Sequence, residues 1–414
     1  MALEIGRLTD EMNYPALKRA AELKQKAEPY LKSQESIPAG LKLTAQYEAQ
    51  KGKFLNYFHA GANDWDDWHW QLSHRITDTE TLAALLNLPQ EELLEIEQVG
   101  KTYRWAVSPY YLSLIDPSDP LDPIRLQALP QYAELEDHDG EEDPMGERFT
   151  SPAPCITRRY PDRLIINVTN MCAMYCRHCQ RRRNIGEVDH HETRGRLKMA
   201  LDYIRANEEI RDVLITGGDA LLLSDATLEW LLSELDSIPH VEIKRLGTRV
   251  PVTLPMRITD ELCAILAKHP PIYINTQFNH PKEVSMESKK AADRLVAAGV
   301  ILGNQAVLLK GINHVPDVMK KLNQELLKIR VRPYYIFHAK NVIGTKHFIP
   351  TIQDGLTVME KLRGYTSGLA VPTYIVNAPM GGGKTPLLPQ YLLSLDQDEA
   401  VLKTWEGKIV HYHS

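Results

Sequence analysis

Hydrophobic and polar positions change their pattern between residues 105 and 160 of the chain. Up to about residue 105, segments rich in Lys, Glu, Ala and Leu predict a helical region, which a proline-punctuated stretch (116–123) then interrupts. After about residue 160, short β-branched runs alternate with amphipathic segments that predict helices. The six runs are RLIINVT (163–169), DVLITGG (212–218), EIKRLGT (242–248), IYINTQF (272–278), GNQAVLL (303–309) and RPYYIFH (332–338).

This succession of six strand–helix units predicts an α/β fold with a parallel sheet and right-handed crossovers. The regular spacing of the units favours a barrel or partial barrel over a doubly wound sheet. In such a fold the chemistry lies at the C-terminal ends of the strands. A seventh candidate strand, PTYIVNA (372–378), leads into the segment VNAPMGGGKTP (376–386), which we therefore expect near the functional site.

An acidic stretch, ELEDHDGEED, precedes the first predicted barrel strand. It has seven acidic residues in ten (134–143), which indicates a solvated linker and a domain boundary. The predicted domains are an N-terminal helical region with this linker (1–143), a barrel core (144–350) and a C-terminal segment (351–414).

Composition and charge exclude several functional classes. The chain has 414 residues, 43% of them hydrophobic and 25% charged, as is ordinary for a globular protein. Its net charge of −6 gives no support to a nucleic-acid partner. No apolar run approaches the ~18 residues that span a bilayer, and the N-terminus MALEIGRLTDEM lacks the apolar core of a signal peptide. We expect no membrane partner and a cytoplasmic location.

The cysteines point to a metal centre. Three of the five lie within eight residues, with the spacing C-x3-C-x2-C, on the loop after the first barrel strand: Cys172, Cys176 and Cys179. A structural zinc site would need a fourth ligand, for which His178 is available. Three thiolates on one tight loop suit a [4Fe–4S] cluster with one open iron.

This cysteine motif, with Tyr175 before its second cysteine, resembles the signature of the radical S-adenosylmethionine (SAM) superfamily. The resemblance implies that SAM chelates the open iron and yields a 5′-deoxyadenosyl radical. TGGDALL (216–222), at the end of the second strand, resembles the next element of that family. The residues that the resemblance implies as SAM contacts are Gly217, Gly218, Asp219, Gln277, Asn304 and Gln305.

The segment GGGKT has two interpretations. A Walker A phosphate loop would need its first glycine at the position of Ala378, so that motif is not met. Together with RRYPDR, CAMYCRHCQRRR, FNHP, LGNQAVLLKGIN, RVRPYY and LRGYTSGLAVPT, the segment resembles the lysine 2,3-aminomutase family, from about Asp64 to near the C-terminus. The resemblance implies a partial (β/α)6 TIM-like barrel of the radical SAM type with a C-terminal segment that binds pyridoxal 5′-phosphate (PLP). It also implies that Lys384 is the catalytic PLP Schiff-base lysine and that Arg159, Tyr160 and Arg163 surround the PLP phosphate.

The family resemblance also implies how the substrate is bound. Arg181 matches the arginine that pairs with the substrate α-carboxylate, as a guanidinium fork suits. Lysine-specific members hold the substrate ε-ammonium with two aspartates, and the matching positions here are Lys340 and Asn377. A lysine substrate would meet a cation without a counter-ion, at a cost of roughly 3–5 kcal/mol. A carboxylate would gain an ion pair with Lys340 and a donor from Asn377.

The pattern therefore resembles the glutamate 2,3-aminomutases, isomerases that convert L-glutamate to β-glutamate by radical-initiated 1,2-amino migration on a PLP aldimine. The alternatives are a lysine or protein-lysine-directed aminomutase, and a non-catalytic protein that uses GGGKT for a nucleotide and a Cys3His set for zinc. An electron donor such as flavodoxin or ferredoxin is implied. Because no cysteine follows Cys263, we expect a homodimer or higher homo-oligomer without the family's structural zinc.

Overall fold

The computed structural model describes residues 14–413, so the first thirteen residues of the predicted helical region lie outside it. The chain divides into two compact units, residues 1–38 and 39–414. The helix of the first unit is Tyr14–Ser33. The predicted helical region continues in the second unit as Thr44–Phe58, Ala62–Asp66, Trp68–Ser73, Thr79–Leu86, Gln90–Thr102, Pro109–Ser113 and Pro123–Ala128.

Short polar side chains define where these helices begin. Asp78 caps the helix Thr79–Leu86, and its side chain accepts from the backbone of Thr81 at 2.7 Å. Ser224 caps the helix Asp225–Asp236 in the same way.

Nine strands form one sheet in sequential order, from β1 to β9. β2 to β8 are parallel, and the edge strands β1 and β9 are antiparallel to their neighbours. The predicted partial barrel is confirmed, because a doubly wound sheet would reverse its strand order. The strands are β1 Ile156–Thr157, β2 Arg163–Asn167, β3 Asp212–Thr216, β4 Ile243–Gly247, β5 Ile272–Thr276, β6 Ile301–Leu308, β7 Arg332–His338, β8 Thr373–Ala378 and β9 Gly383–Leu387.

Helices connect the parallel strands and cover one face of the sheet. The main crossover helices are Arg194–Arg205, Asp225–Asp236, Asp260–Lys268, Met286–Ala297, Pro316–Lys328 and Ile352–Leu362. Alternate strand residues such as Leu164, Ile166, Val213 and Ile215 are buried in the hydrophobic core with these helices. The residues between them are only half-buried, and those in β2 and β4 include the polar side chains of Arg163 and Arg245. The inner face of the half-barrel is thus left for a polar ligand.

The acidic stretch ELEDHDGEED is half exposed, but two of its acidic residues, Glu134 and Asp137, are buried and bonded to other parts of the protein, as a freely solvated linker would not be. Glu134 is fully buried and pairs with Arg177 at 2.6 Å. Asp137 accepts from the backbone amides of Thr345 and Lys346, at 3.0 Å each. A buried arginine and backbone amides from distant segments offset the cost of burying these two carboxylates. The stretch therefore belongs to the second compact unit, with no division of the chain at residue 143.

A second, antiparallel sheet follows the barrel, although the sequence pattern did not predict it. Its strands are β10 Leu392–Leu395, β11 Glu399–Lys403 and β12 Ile409–His413. Across residues 14–413, no helix combines the length and the apolar character that a membrane crossing requires.

Candidate active site

A cavity of about 300 Å³ lies on the inner face of the half-barrel and extends to the C-terminal ends of the strands. It brings together residues that are up to 239 positions apart in the chain, from Met145 to Lys384. Fifteen of the sixteen site residues predicted from the sequence line it: Arg159, Tyr160, Arg163, Cys172, Cys176, Cys179, Arg181, Gly217, Gly218, Asp219, Gln277, Gln305, Lys340, Asn377 and Lys384.

Asn304 is the exception, and its prediction as a SAM contact does not fit the structure. Its side chain is 1% exposed; Oδ1 accepts from the Phe278 amide at 2.7 Å and Nδ2 donates to the Phe278 carbonyl at 3.0 Å. Neighbouring residues of a strand point to opposite faces, so Gln305 faces the cavity while Asn304 faces away from it. Asn304 holds the loop after β5 in place.

The cysteine loop is held by the N-terminal helical region. The Tyr175 amide donates to the Ala106 carbonyl at 3.0 Å, and Arg75 donates to the Cys172 carbonyl at 2.7 Å. All three cysteines are free thiols on one wall of the cavity. Three thiols on one anchored loop fit the ligand set of the cluster.

The Cys3His zinc alternative finds no support. Within the described residues 14–413, no group of three His, Cys, Asp or Glu side chains is placed to hold a metal ion. A cluster needs wider separation between its thiolates than a single zinc ion does. His178 is 9% exposed, and burial lowers its pKa well below the usual value.

Two glycines after β3, Gly217 and Gly218, lie in close contact with the backbone of the cysteine loop. A Cβ on Gly217 would lie 2.3 Å from the Thr169 carbonyl oxygen, and one on Gly218 would lie 2.3 Å from that of Met171. Gly217 also has φ +137°, which side chains rarely adopt. Glycine is therefore needed here because the end of β3 packs directly against the backbone of the cysteine loop.

Sequence reasoning missed Arg249, which follows β4 and lines the cavity. Its Nη1 lies 2.8 Å from Cys176 Sγ, and its backbone amide donates to Asp219 at 2.7 Å. The sequence signal that could have identified Arg249 is its position just after the C-terminal end of a predicted barrel strand.

The segment VNAPMGGGKTP forms the β8–β9 hairpin. Asn377 and Lys384 are Cα partners across it, and the Lys384 amide donates to the Tyr160 hydroxyl at 2.9 Å. Lys384 lies in strand β9, whereas a phosphate loop places its lysine at the start of a helix. The hairpin therefore excludes the phosphate-loop interpretation.

Lys384 lies in an apolar and cationic environment. Its Nζ is 4.9 Å from the ring centre of Tyr335 and 5.5 Å from that of Phe337. Burial, together with Arg245 and Arg163, lowers its pKa to about 8. A larger neutral fraction of the amine favours attack on a carbonyl carbon.

Glu147, also missed from the sequence, binds three arginines. Its carboxylate is 2.6 Å from Arg159, 2.8 Å from Arg181 and 3.0 Å from Arg183. Although burial opposes ionisation, Arg181 and the other arginines lower the Glu147 pKa to about 2. Nothing local in the sequence marked this residue, because its partners lie 12 to 36 positions away.

Lys340 and Asn377 also line the cavity. Lys340 Nζ donates to Gln180 Oε1, and burial, Arg181 and Arg159 lower its pKa to about 7. The Nδ2 donor of Asn377 is buried without a hydrogen-bond partner in the protein. An unpaired buried donor next to a cation fits an anionic ligand group.

Taken together, the positive charges on the inner face suit phosphate and carboxylate ligands. Arg159, Arg163, Arg181, Lys340 and Lys384 line the cavity. Arg163 lies over the Tyr160 ring, with 4.0 Å from its Cζ to the ring centre. The PLP residues implied by the resemblance thus lie together around a cationic cavity of suitable chemistry.

The comparisons with known proteins agree with this geometry. The radical SAM superfamily model matches residues 166–321, and a model described as lysine-2,3-aminomutase matches residues 359–414. The half-barrel and its cysteine loop define a radical SAM protein, a class that uses a [4Fe–4S] cluster and SAM.

Relatives that align with most of the chain identify the family within this class. The chain is 59% identical to glutamate 2,3-aminomutase of Clostridioides difficile (strain 630), over 97% of this chain and 95% of that protein. It is 50% identical to L-lysine 2,3-aminomutase of Clostridium subterminale, over 84% of each chain. It is 34% identical to L-lysine 2,3-aminomutase of Haemophilus influenzae, over 74% of this chain and 91% of that protein. The chain belongs to the lysine 2,3-aminomutase family and is an isomerase of the aminomutase type.

Proposed function

We propose that this enzyme is a glutamate 2,3-aminomutase that converts L-glutamate to β-glutamate. The observation that carries the proposal is that Lys340 and Asn377 line the same cavity as Arg181 and Lys384. The 59% identity to glutamate 2,3-aminomutase of Clostridioides difficile (strain 630) supports the same substrate.

The substrate binds at two charged ends. Arg181 binds the α-carboxylate, with its guanidinium held in place by Glu147 at 2.8 Å. Lys340 binds the side-chain carboxylate, and the free Nδ2 of Asn377 donates to it. A lysine substrate would instead place its ammonium against Lys340, at a cost of roughly 3–5 kcal/mol in a desolvated site.

Three groups of residues hold the cofactors. Lysine and glutamate 2,3-aminomutases are PLP-dependent, and here Lys384 carries the amine that joins PLP while Arg159, Tyr160 and Arg163 face its phosphate. Cys172, Cys176 and Cys179 hold the cluster, and Gly217, Gly218, Asp219, Gln277 and Gln305 surround SAM. When bound, the cluster and SAM supply the radical that starts the reaction, and PLP supplies the ring on which the amino group migrates.

The aromatic wall around Lys384 excludes water from the reacting region. Tyr335 and Phe337 pack against each other with ring centres 5.4 Å apart, beside the lysine amine. Lowered water access protects radical species from side reactions and strengthens the charge contacts with the substrate.

Product identification tests this proposal. The enzyme, reconstituted anaerobically with iron, sulfide, SAM and PLP, is incubated separately with L-glutamate, L-lysine and L-aspartate. We expect β-glutamate as the main product. Faster conversion of lysine would assign the enzyme to the lysine branch of the family, and no β-amino product from any substrate would contradict the proposed chemistry.

The remaining features of the proposed function concern partners. A low-potential donor such as flavodoxin or ferredoxin supplies the electron, the enzyme works as a homodimer or higher homo-oligomer without structural zinc, and its location is cytoplasmic. Reduction assays with each donor and light scattering of the purified enzyme test the first two features.

A further inference from the structure

We propose that Arg249 is a positioning residue that donates a fixed, positively charged hydrogen bond to the Cys176 thiolate and thereby raises the reduction potential of the iron–sulfur cluster. The inference rests on the proposed cluster ligation by the cysteine loop. It assigns a role to a residue outside the cysteine motif.

The guanidinium of Arg249 is held on every side. Nη1 lies 2.8 Å from Cys176 Sγ, and Nε donates to the Gln277 carbonyl at 2.9 Å. Nη2 donates to Glu283 at 2.7 Å and to Gln127 at 3.1 Å. The residue is 8% exposed, so water does not compete for these contacts. The guanidinium therefore cannot turn away from the thiolate without breaking several buried hydrogen bonds.

Glu283 is the anchor that fixes this orientation. It is fully buried, and its carboxylate also accepts from the Tyr111 hydroxyl at 2.6 Å and the His280 amide at 2.9 Å. These donors hold the Glu283 carboxylate in place, so it does not move toward the cluster. They also take up part of its negative charge, so Glu283 cancels only part of the positive charge of Arg249. The result is an oriented ion pair with its positive end at Cys176.

The position of this cation determines the sign of its effect. Reduction adds one electron to the cluster and its thiolates, so it increases the negative charge next to Arg249. A buried cation stabilises the more negative state more strongly, and hydrogen bonds to the sulfurs are known to tune such potentials. The same side chain also binds the backbone carbonyl of Gln277, a residue proposed to contact SAM. Arg249 therefore fixes the separation between the Cys176 thiolate and Gln277.

The reduction potential of the cluster tests the inference. The reconstituted enzyme, without SAM, is reduced stepwise with dithionite, and the reduced cluster is measured by electron paramagnetic resonance. The variants are Arg249→Gln, which removes the charge, and Arg249→Lys, which keeps the charge but cannot reach all the acceptors. Arg257→Gln is the matched control, because Arg257 is also fully buried, donates to the Leu221 carbonyl and to Asp225, and forms no hydrogen bond with the three cysteines of the cluster loop.

For Arg249→Gln we expect the ratio of reduced to oxidised cluster at a fixed potential to fall about tenfold, which is about 59 mV for a one-electron couple. Arg249→Lys should show a smaller fall, and Arg257→Gln no change. Coincident titrations of the wild type and Arg249→Gln would overturn the inference. Should Arg249→Gln hold no cluster, coincidence of Arg249→Lys with the wild type overturns it instead. A wild-type protein that binds no cluster would contradict the proposed function itself.

Discussion

At the scale of single residues, the choice of substrate depends on Lys340 and Asn377. Asn377 is the Cα partner of Lys384 across the β8–β9 hairpin, and Lys340 follows β7. The Asn377 donor proposed to bind the side-chain carboxylate and the lysine proposed to anchor PLP therefore lie on the same β-hairpin, whereas the charge of Lys340 comes from the end of the neighbouring strand β7. The hairpin fixes the separation between Asn377 and Lys384.

The first prediction reverses the charge of this end of the cavity. The double variant Lys340→Asp/Asn377→Asp should favour lysine over glutamate, since the ammonium then meets two anions. Removing a mispaired charge worth roughly 3–5 kcal/mol should shift the ratio of kcat/KM values by at least about 100-fold. Competition between the two substrates measures the shift. The control is Lys340→Met, which removes the cation without adding an anion. This variant should lose activity with glutamate without gaining activity with lysine. An unchanged substrate preference in the double variant would show that these residues do not face the substrate.

The second prediction concerns pH. Burial, together with Arg181 and Arg159, lowers the Lys340 pKa to about 7, so the ammonium form is present below that pH and is lost above it. Because a carboxylate binds the ammonium form, KM for glutamate should rise about tenfold for each pH unit above the pKa. Steady-state kinetics between pH 6 and 9 measure this rise. Lys340→Arg stays charged and should flatten the profile; a profile that is equally steep in this variant would assign the titration to another group.

At the scale of elements, the cysteine loop depends on its packing against the end of β3. A methyl group at Gly217 would collide with the Thr169 carbonyl, and the local φ of +137° also disfavours a side chain. At Gly299, by contrast, φ is +81° but nothing lies within 4 Å of an added Cβ. A substitution at Gly299 therefore introduces backbone strain alone, whereas the same substitution at Gly217 adds a clash with the cysteine loop.

The third prediction uses this pair. Gly299→Ala should cost about 1–2 kcal/mol of stability through strain alone and keep its cluster. Gly217→Ala should lose more stability and also retain less iron per chain, because it displaces the loop that carries the three cysteines. Iron analysis and thermal unfolding of both variants provide the measurement. Equal iron content in the two proteins would mean that the loop does not depend on the β3 contact.

At the scale of the whole molecule, the helices between residues 44 and 128 and the barrel belong to the same compact unit. The loop residue Arg177 is 1% exposed, and its partner Glu134 belongs to the acidic stretch that the sequence marked as a linker. The backbone of the cysteine loop also bonds to Ala106 and Gln127. The metal centre therefore depends on residues that precede the barrel.

The fourth prediction follows from this dependence. A fragment of residues 144–414 should fail to fold or to bind iron, because it leaves Arg177 buried without Glu134, at a cost of roughly 3–5 kcal/mol. A fragment of residues 39–414, which corresponds to the second compact unit, should keep its fold. Circular dichroism and iron content compare the two fragments. A folded, iron-loaded 144–414 fragment would contradict this interpretation.

The sequence by itself determined the barrel and most of the site. Strand and helix periods are local properties of the chain and the cysteine spacing is local chemistry, so both could be predicted without coordinates. The other site residues, Lys384 among them, were implied by the motifs that resemble the lysine 2,3-aminomutase family, and fifteen of the sixteen predicted site residues line one cavity.

Only the tertiary structure decided which polar groups meet. Asn304 and Gln305 are neighbours in sequence, but the pleat of β6 turns one of them away from the cavity. Glu134 belongs to a stretch with the composition of a linker, yet two arginines from the cysteine loop bury it. Glu147 and Arg249 likewise gained their roles from partners that only the folded chain brings together. Charge pairing in a folded chain depends on distance in space and on burial, and a one-dimensional pattern contains neither of these quantities.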